Sequence, residues 1–205
     1  KKYMIINRKQ IWSLSWPIIL ANLTIPLVGL TDTIIMGHMP ESKFLGAIAI
    51  GGIVFNFLYA SLNFFRMGTT GIIAQELGKK NDFELLYGLL RPLVLSLFIG
   101  LILYSLKDII LDVTVYSINP NHELIPLFKI YFFTRILGLP FGLMNMVFLG
   151  WFFGMQKPKS VMLQLIIINL VNIISSIFLG QFLNYGIFGV ALGSVFAQFI
   201  GFIIS

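Results

Sequence analysis

The sequence predicts an all-α membrane protein, a bundle of six transmembrane helices, and three observations carry that prediction. Of its 205 residues, 58% are hydrophobic and only 11% charged, against about one quarter charged in an ordinary soluble domain. Six apolar runs stand out, each near or above the roughly 20 residues that a helix needs to cross a bilayer. These runs are apolar around most of their circumference, whereas a helix of a soluble bundle keeps a polar face. The net charge of +6 does not point to nucleic acid, because the basic residues sit at the ends of the apolar runs, where they act as topology signals. The chain has no cysteine, which excludes disulfides and thiolate metal sites. It opens on Lys1 and its last apolar run ends at Ser205 without a polar flank, so it is expected to be part of a longer chain.

The first run, Ile11 to Gly37, contains the segment WPIILANLTIPLVGLTDTIIMGHM with Asp32 inside it. A carboxylate in a membrane helix costs roughly 2.5–3.5 kcal/mol on insertion scales, so it marks a functional site by default. Desolvation disfavours its charged form, which suits it to taking up and releasing a proton. The alternative is that Asp32 lies at a helix end near His38 and Pro40, solvated in the interface. Pro17 and Pro26 each remove one backbone hydrogen bond and offer the helix a hinge.

The second run, Phe44 to Gln75, is longer than a bilayer requires, and its end from Arg66 onward is expected to project into the headgroups. Asn56 and Asn63, seven apart, share one of its faces. The third run spans Leu85 to Leu106. Within the connection that follows, Lys107 to Glu123, the portion from Ile109 to Tyr116 reads as a short interfacial helix. The fourth run spans Leu124 to Phe153 and holds Arg135 about ten residues inside. That arginine either faces other helices or a wet cavity, or the helix starts later than marked.

The fifth run, Ser160 to Leu183, carries Asn169, Asn172 and Ser176 at spacings of three and four, on one helical face. Such a face must meet another helix or water, because unsatisfied amides are costly in hydrocarbon. Cavity lining and helix-to-helix bonding remain equal readings of the stripe; Gln164, on its flank, is read as helix-to-helix bonding. The sixth run, Ile187 to Ser205, has Gly189, Gly193, Ala197 and Gly201 at strict fours, a ridge for close backbone approach. Ser194 and Gln198 lie one step around from that ridge.

Lys1, Lys2, Arg8, Lys9, Lys79, Lys80, Arg91, Lys157 and Lys159 fall on one side of this topology, and only Lys43, Lys107 and Lys129 on the other. The richer side, with the amino terminus, is expected to be cytoplasmic. Motifs for catalysis are missing: His38 and His122 stand alone, no phosphate-binding or nucleophile-elbow pattern occurs, and Asp32 is the sole acid inside an apolar run. Neither an enzyme nor a metal centre is expected.

Trp16-Pro17, Pro26-Leu27, Thr31-Asp32-Thr33 and Gly37-His38, followed by Leu45-Gly46-Ala47-Ile48-Ala49-Ile50-Gly51, resemble the multidrug and toxic compound extrusion (MATE) family. Phe65-Arg66-Met67-Gly68-Thr69-Thr70-Gly71 with Ala74-Gln75, Arg135-Ile136 with Gly138-Leu139-Pro140, and Gly150-Trp151-Phe152-Phe153-Gly154 are similar, more narrowly, to its DNA-damage-inducible-protein-F (DinF) branch. The resemblance runs along nearly the whole chain. It implies a twelve-helix transporter of two six-helix lobes, with residues 1–205 as the amino-terminal lobe and the carboxy-terminal lobe outside this chain. It also implies efflux of organic cations or amphipathic drugs from a bacterial inner membrane, driven by H+ or Na+, with no other cofactor.

In that family the first-helix acid is the coupling site, matched here by Asp32; Asn172 matches its fifth-helix asparagine and Ser194 its sixth-helix hydroxyl. One departure is visible: where the branch usually has a second aspartate, this chain has Ser176, so Asp32 either carries the coupling ion alone or the coupling is altered. Asn169 and Gln164 complete the expected cavity set, with Pro17 and Pro26 as hinges. Two other readings stand: a flippase for lipids or lipid-linked precursors, which a cationic cavity would favour, and a non-transporting half-length protein that pairs with a second copy through the glycine ridge.

Overall fold

The computed structural model describes residues 43–205 without a break and, before them, Arg8, Trp12, Ser15, Trp16, Pro17, Ile19, Leu20 and Leu23. Those eight residues all have helical backbone, and Pro17 is buried. Asp32, Pro26 and His38 lie outside the described residues.

Five stretches among the described residues are long and apolar enough to cross a bilayer: Lys43–Lys79, Asp82–Ser105, Ile125–Gly154, Pro158–Phe182 and Gly186–Ile204. The first of them is two helices, α1 (Lys43–Ser61) and α2 (Phe64–Lys79). The turn between them tightens to three-residue bonding, Phe65 N–H to the Leu62 carbonyl and Arg66 N–H to the Asn63 carbonyl, both at 3.1 Å. At 1.5 Å per residue the pair is about 55 Å long, well beyond a hydrocarbon core of about 30 Å. Lys80 in the left-handed conformation ends α2. Asn81 then caps α3 (Asp82–Ser105), its side chain accepting from Glu84 N–H at 3.3 Å.

The next connection holds a short helix, α4 (Lys107–Ile118), wider at both ends than the expected stretch from Ile109 to Tyr116. The fourth run is bent inside: α5 (Ile125–Arg135) passes through a 3₁₀ turn (Ile136–Gly138) into α6 (Leu139–Gly154). The bend has a local cause in Pro140, which brings no N–H to the helix and crowds the carbonyl four residues back. The Leu139 N–H bonds to that Ile136 carbonyl instead, three residues earlier, which is the tighter 3₁₀ pattern. Because α5 begins at Ile125, Arg135 sits well inside the span, and a later helix start is not the explanation of its position.

Helix α7 (Pro158–Ile177) runs into a π turn (Phe178–Phe182) and is followed by α8 (Gly186–Ile204). The small-residue ridge of α8 faces α7. A Cβ on Gly193 would stand 2.7 Å from the Ser176 backbone nitrogen, and one on Gly201 would stand 2.5 Å from Ile168 Cγ1. Without a hydrophobic difference between helix and lipid, such close approach is what holds membrane helices together. The bundle's centre is filled by Phe55, Phe128, Tyr131, Phe132, Leu139 and Leu143, each 1% exposed or less.

Candidate functional site

The site is built around the bend that follows Arg135. Gly51 on α1 leaves room for the Tyr131 ring, which a Cβ there would strike. The Tyr131 hydroxyl accepts a hydrogen bond from the Arg135 guanidinium. The guanidinium carbon also lies 4.7 Å from the Phe55 ring centroid and 5.4 Å from that of Tyr131. Stacking on rings is how a weakly hydrated guanidinium is held away from bulk water. Arg135 is thereby presented, half-buried, to the interior of the bundle.

Opposite it stands the polar face of α7 and α8. Asn172 donates through Nδ2 to the Ser194 hydroxyl at 2.9 Å. Its carbonyl oxygen Oδ1 is buried and has no partner among the described residues. Together with half-buried Asn169, these residues, Gln198 and Tyr59 line one cavity with Arg135, about 80 Å³ in volume. That holds waters or a small ion and falls below the roughly 300 Å³ at which pockets for drug-sized molecules begin. The Tyr59 hydroxyl reaches it across Gly142, where a Cβ would collide with it.

Gln164 and Ser176 stand apart from this cavity. The Gln164 amide donates to Asn145, at 3.4 Å to Oδ1 and 3.5 Å to the backbone carbonyl. The Asn145 amide donates in turn to the Gln198 side-chain and backbone oxygens, both at 2.9 Å. This chain of amides ties α6, α7 and α8 together, so Gln164 makes the helix-to-helix bonding read from its place on the flank and does not line the cavity, as the expected cavity set had it. The Ser176 hydroxyl donates to the Val190 carbonyl at 3.5 Å, across the α7–α8 contact. Of the sequence candidates, the structure therefore brings Asn169, Asn172 and Ser194 to the cavity, together with Arg135 and Gln198.

Two residues escaped the sequence reading. Asn145 carried a usable signal, an amide alone in the apolar run Leu143-Met144-Asn145-Met146-Val147, of the same kind that singled out Asn172. Tyr59 carried none, since a tyrosine in a membrane helix is ordinary. Among the described residues, no group of three or more His, Asp or Glu side chains is placed to hold a metal ion.

A family model described as MatE matches residues 17–178. The chain belongs to the MatE family. It is a family of transporters, not of enzymes, and this MatE chain is a multi-pass membrane protein. It is 33% identical to the DNA damage-inducible protein F of Escherichia coli, over 96% of this chain and 43% of that one. It is 25% identical to the probable multidrug resistance protein NorM of Oceanobacillus iheyensis, over 87% of this chain and 39% of that one. Among solved structures, it superposes on an outward-facing multidrug resistance MATE family transporter of the MOP superfamily with a TM-score of 0.83 and 24% identity, covering 93% of this chain and 42% of that one. A MATE structure in the straight conformation gives a TM-score of 0.84 at 21% identity, over 95% and 43% of the two chains. This chain thus matches one lobe of such structures and spans less than half the length of these relatives.

Proposed function

We propose that this MatE chain forms the amino-terminal six-helix lobe of a cation-coupled antiporter, which exports cationic or amphipathic small molecules by alternating access. The observation that carries the reading is the polar cavity within the lobe, where Asn172 and Ser194, two of the residues singled out by resemblance, meet on facing helices. The lobe across the pathway is the carboxy-terminal lobe of the same protein, or a second copy if the native chain is short. In this reading Asp32 is the coupling group. Ionised, it favours a cation or cationic substrate in the lobe; neutralised by H+ or Na+ from outside, it releases that substrate as the first helix bends at Pro17 and Pro26. A ligand shifts such an equilibrium only by its difference in affinity for the two states, so Asp32 must change environment between them.

The test is Asp32→Asn in the full native protein, reconstituted in vesicles with a proton or a sodium gradient imposed separately. Gradient-driven efflux is lost while the protein still inserts, and the gradient that drives the parent protein identifies the ion. Undiminished efflux by the variant refutes the coupling role.

One observation favours a second reading, a flippase for lipids or lipid-linked precursors. Arg135 lines the cavity, and a fixed positive charge there attracts the phosphate of such a substrate and repels an organic cation.

A further inference from the structure

Where α3 gives way to α4, two lysines approach one ring. Lys107, the first residue of α4, and Lys129 of α5 hold their ammonium nitrogens 5.6 and 5.4 Å from the Phe133 centroid. Lys107 also lies 4.8 Å from the Tyr104 centroid. Among the described residues, neither lysine makes an ion pair; the salt bridges there belong to Lys43, Lys79 and Arg91. Asp108 and Asp112, the carboxylates of α4, are exposed and bridge neither lysine. Two cations near one ring repel each other, and an anion placed between them offsets that repulsion.

Directly beside this pair a groove of about 270 Å³ opens between α3 and the bent α5–α6 span. Leu97, Leu101 and Tyr104 form one wall, and Leu137, Pro140 and Phe141 form the other. The helical period makes both walls continuous with the lysine pair. Tyr104, which ends the α3 wall, is the ring beneath Lys107, and Phe133, which both lysines address, sits one turn before Leu137. A slot that is apolar along its length and carries two cations over aromatic rings at one end matches an amphiphile with an anionic head. A covering protein segment would need a carboxylate of its own at this point, whereas the phosphate of an anionic lipid supplies the charge and its acyl chain fills the apolar slot.

We propose that this groove is a binding site for an anionic phospholipid of the leaflet on the Lys43–Glu123 side, with an acyl chain between α3 and α6 and the phosphate shared by Lys107 and Lys129. The site goes beyond the antiport reading and does not depend on it. It does adjoin the same machinery: exposed Leu137 lies two residues after Arg135, and Pro140 is packed against Gly100 of α3 beneath the groove.

The test uses the full native protein in vesicles of phosphatidylcholine with either brominated phosphatidylglycerol or brominated phosphatidylcholine added. Phe141→Trp places a reporter in the groove wall, and Leu101→Trp serves as a second reporter where the first fails to assemble. The added fluorescence is expected to be quenched preferentially by brominated phosphatidylglycerol. That preference weakens about fivefold for each lysine removed in Lys107→Gln and Lys129→Gln, survives in the corresponding arginine variants, and falls as salt rises. Equal quenching by the two lipids, or a preference unchanged in the double glutamine variant, overturns the proposal. Quenching by neither lipid overturns it too, since the groove is then covered by protein. Transport is read nowhere in this experiment, so its failure leaves the antiport reading untouched.

Discussion

Asn172 and Ser194 meet across 2.9 Å with each residue only 6% exposed, and the bond uses one half of the amide while leaving Oδ1 buried and unpartnered among the described residues. An unpaired buried polar group costs about 1–3 kcal/mol; Gln164 Oε1 is bare as well, and Asn172 differs from it in lining the cavity. The bare oxygen lies beside a cavity with room for water or a small ion. Its arrangement fits a group that is completed when the cavity is filled.

The asymmetry of this bond predicts an unequal pair of variants. Asn172→Leu removes the unpaired acceptor along with the donor and should cost less than about 1 kcal/mol. Ser194→Ala strands the buried amide donor as well, and should cost about 1–3 kcal/mol. A double-mutant cycle by chemical unfolding in detergent should return a coupling of about 0.6–1.7 kcal/mol. A neutral Ser194→Ala variant would show that the amide finds another partner.

Glycine positions on the described helices should divide sharply. Gly193 approaches the Ser176 backbone so closely that a Cβ would stand 2.7 Å away, whereas nothing lies within 4 Å of a Cβ on Gly68. Gly193→Leu should therefore separate α7 from α8, open the Asn172–Ser194 contact and lower the yield of monodisperse protein. Gly68→Ala, on an exposed turn of α2, should stabilise by roughly 0.5–1 kcal/mol through helix propensity. Thermal unfolding followed by size-exclusion chromatography separates the two outcomes.

Among the described residues the membrane spans were legible because bilayer thickness imposes length and composition together: the apolar run from Ile187 to Ser205 appears as α8, Gly186–Ile204. The break at Leu62–Asn63 was not legible, since neither glycine nor proline marks it and only the tightened bonding of Phe65 and Arg66 reveals it. The bend after Arg135 was written in Gly138 and Pro140, yet local rules do not say which way a bent helix turns its side chains. For Arg135 the sequence leaves two readings, an inward face or a helix that starts later, and the rings of Phe55 and Tyr131 that receive it come from α1 and its own helix. On α7 periodicity placed Asn172 and Ser176 on one face, but it does not distinguish a cavity from a neighbouring carbonyl. The Val190 carbonyl takes Ser176. Tyr59 enters the site through long-range packing over Gly142, which no local pattern encodes.

Pro140→Ala should straighten the fourth span. The substitution restores an N–H that bonds the Ile136 carbonyl in the helical pattern and removes the ring that crowds it. Spin labels at Lys129 and Lys157, exposed positions at either end of the span, should move apart as α5 and α6 align. The distance distribution measured by pulsed electron resonance checks this, and an unchanged distance would place the cause of the bend in packing, such as the 3.2 Å approach that a Gly138 Cβ would make to Val195 Cα.

Arg135→Gln separates the two functional readings by the sign of its effect. Among the described residues it is the one charged side chain on a cavity otherwise lined by neutral groups. If the substrate bears a phosphate, the guanidinium contributes a charge-assisted contact worth about 1.5–3 kcal/mol, and its loss should lower transport of that substrate about ten- to a hundredfold. If the substrate is a cation, the same variant removes a repulsion, and efflux should hold or rise. Arg135→Lys keeps the charge but loses the planar stack on Phe55 and Tyr131. It should therefore behave like the parent for a cation and fall between the parent and the glutamine variant for a phosphate. Transport assays of the full native protein with a cationic dye and a fluorescent lipid phosphate, run side by side on the three proteins, decide between them, because only one of the two substrates can respond to the lost charge with a large fall.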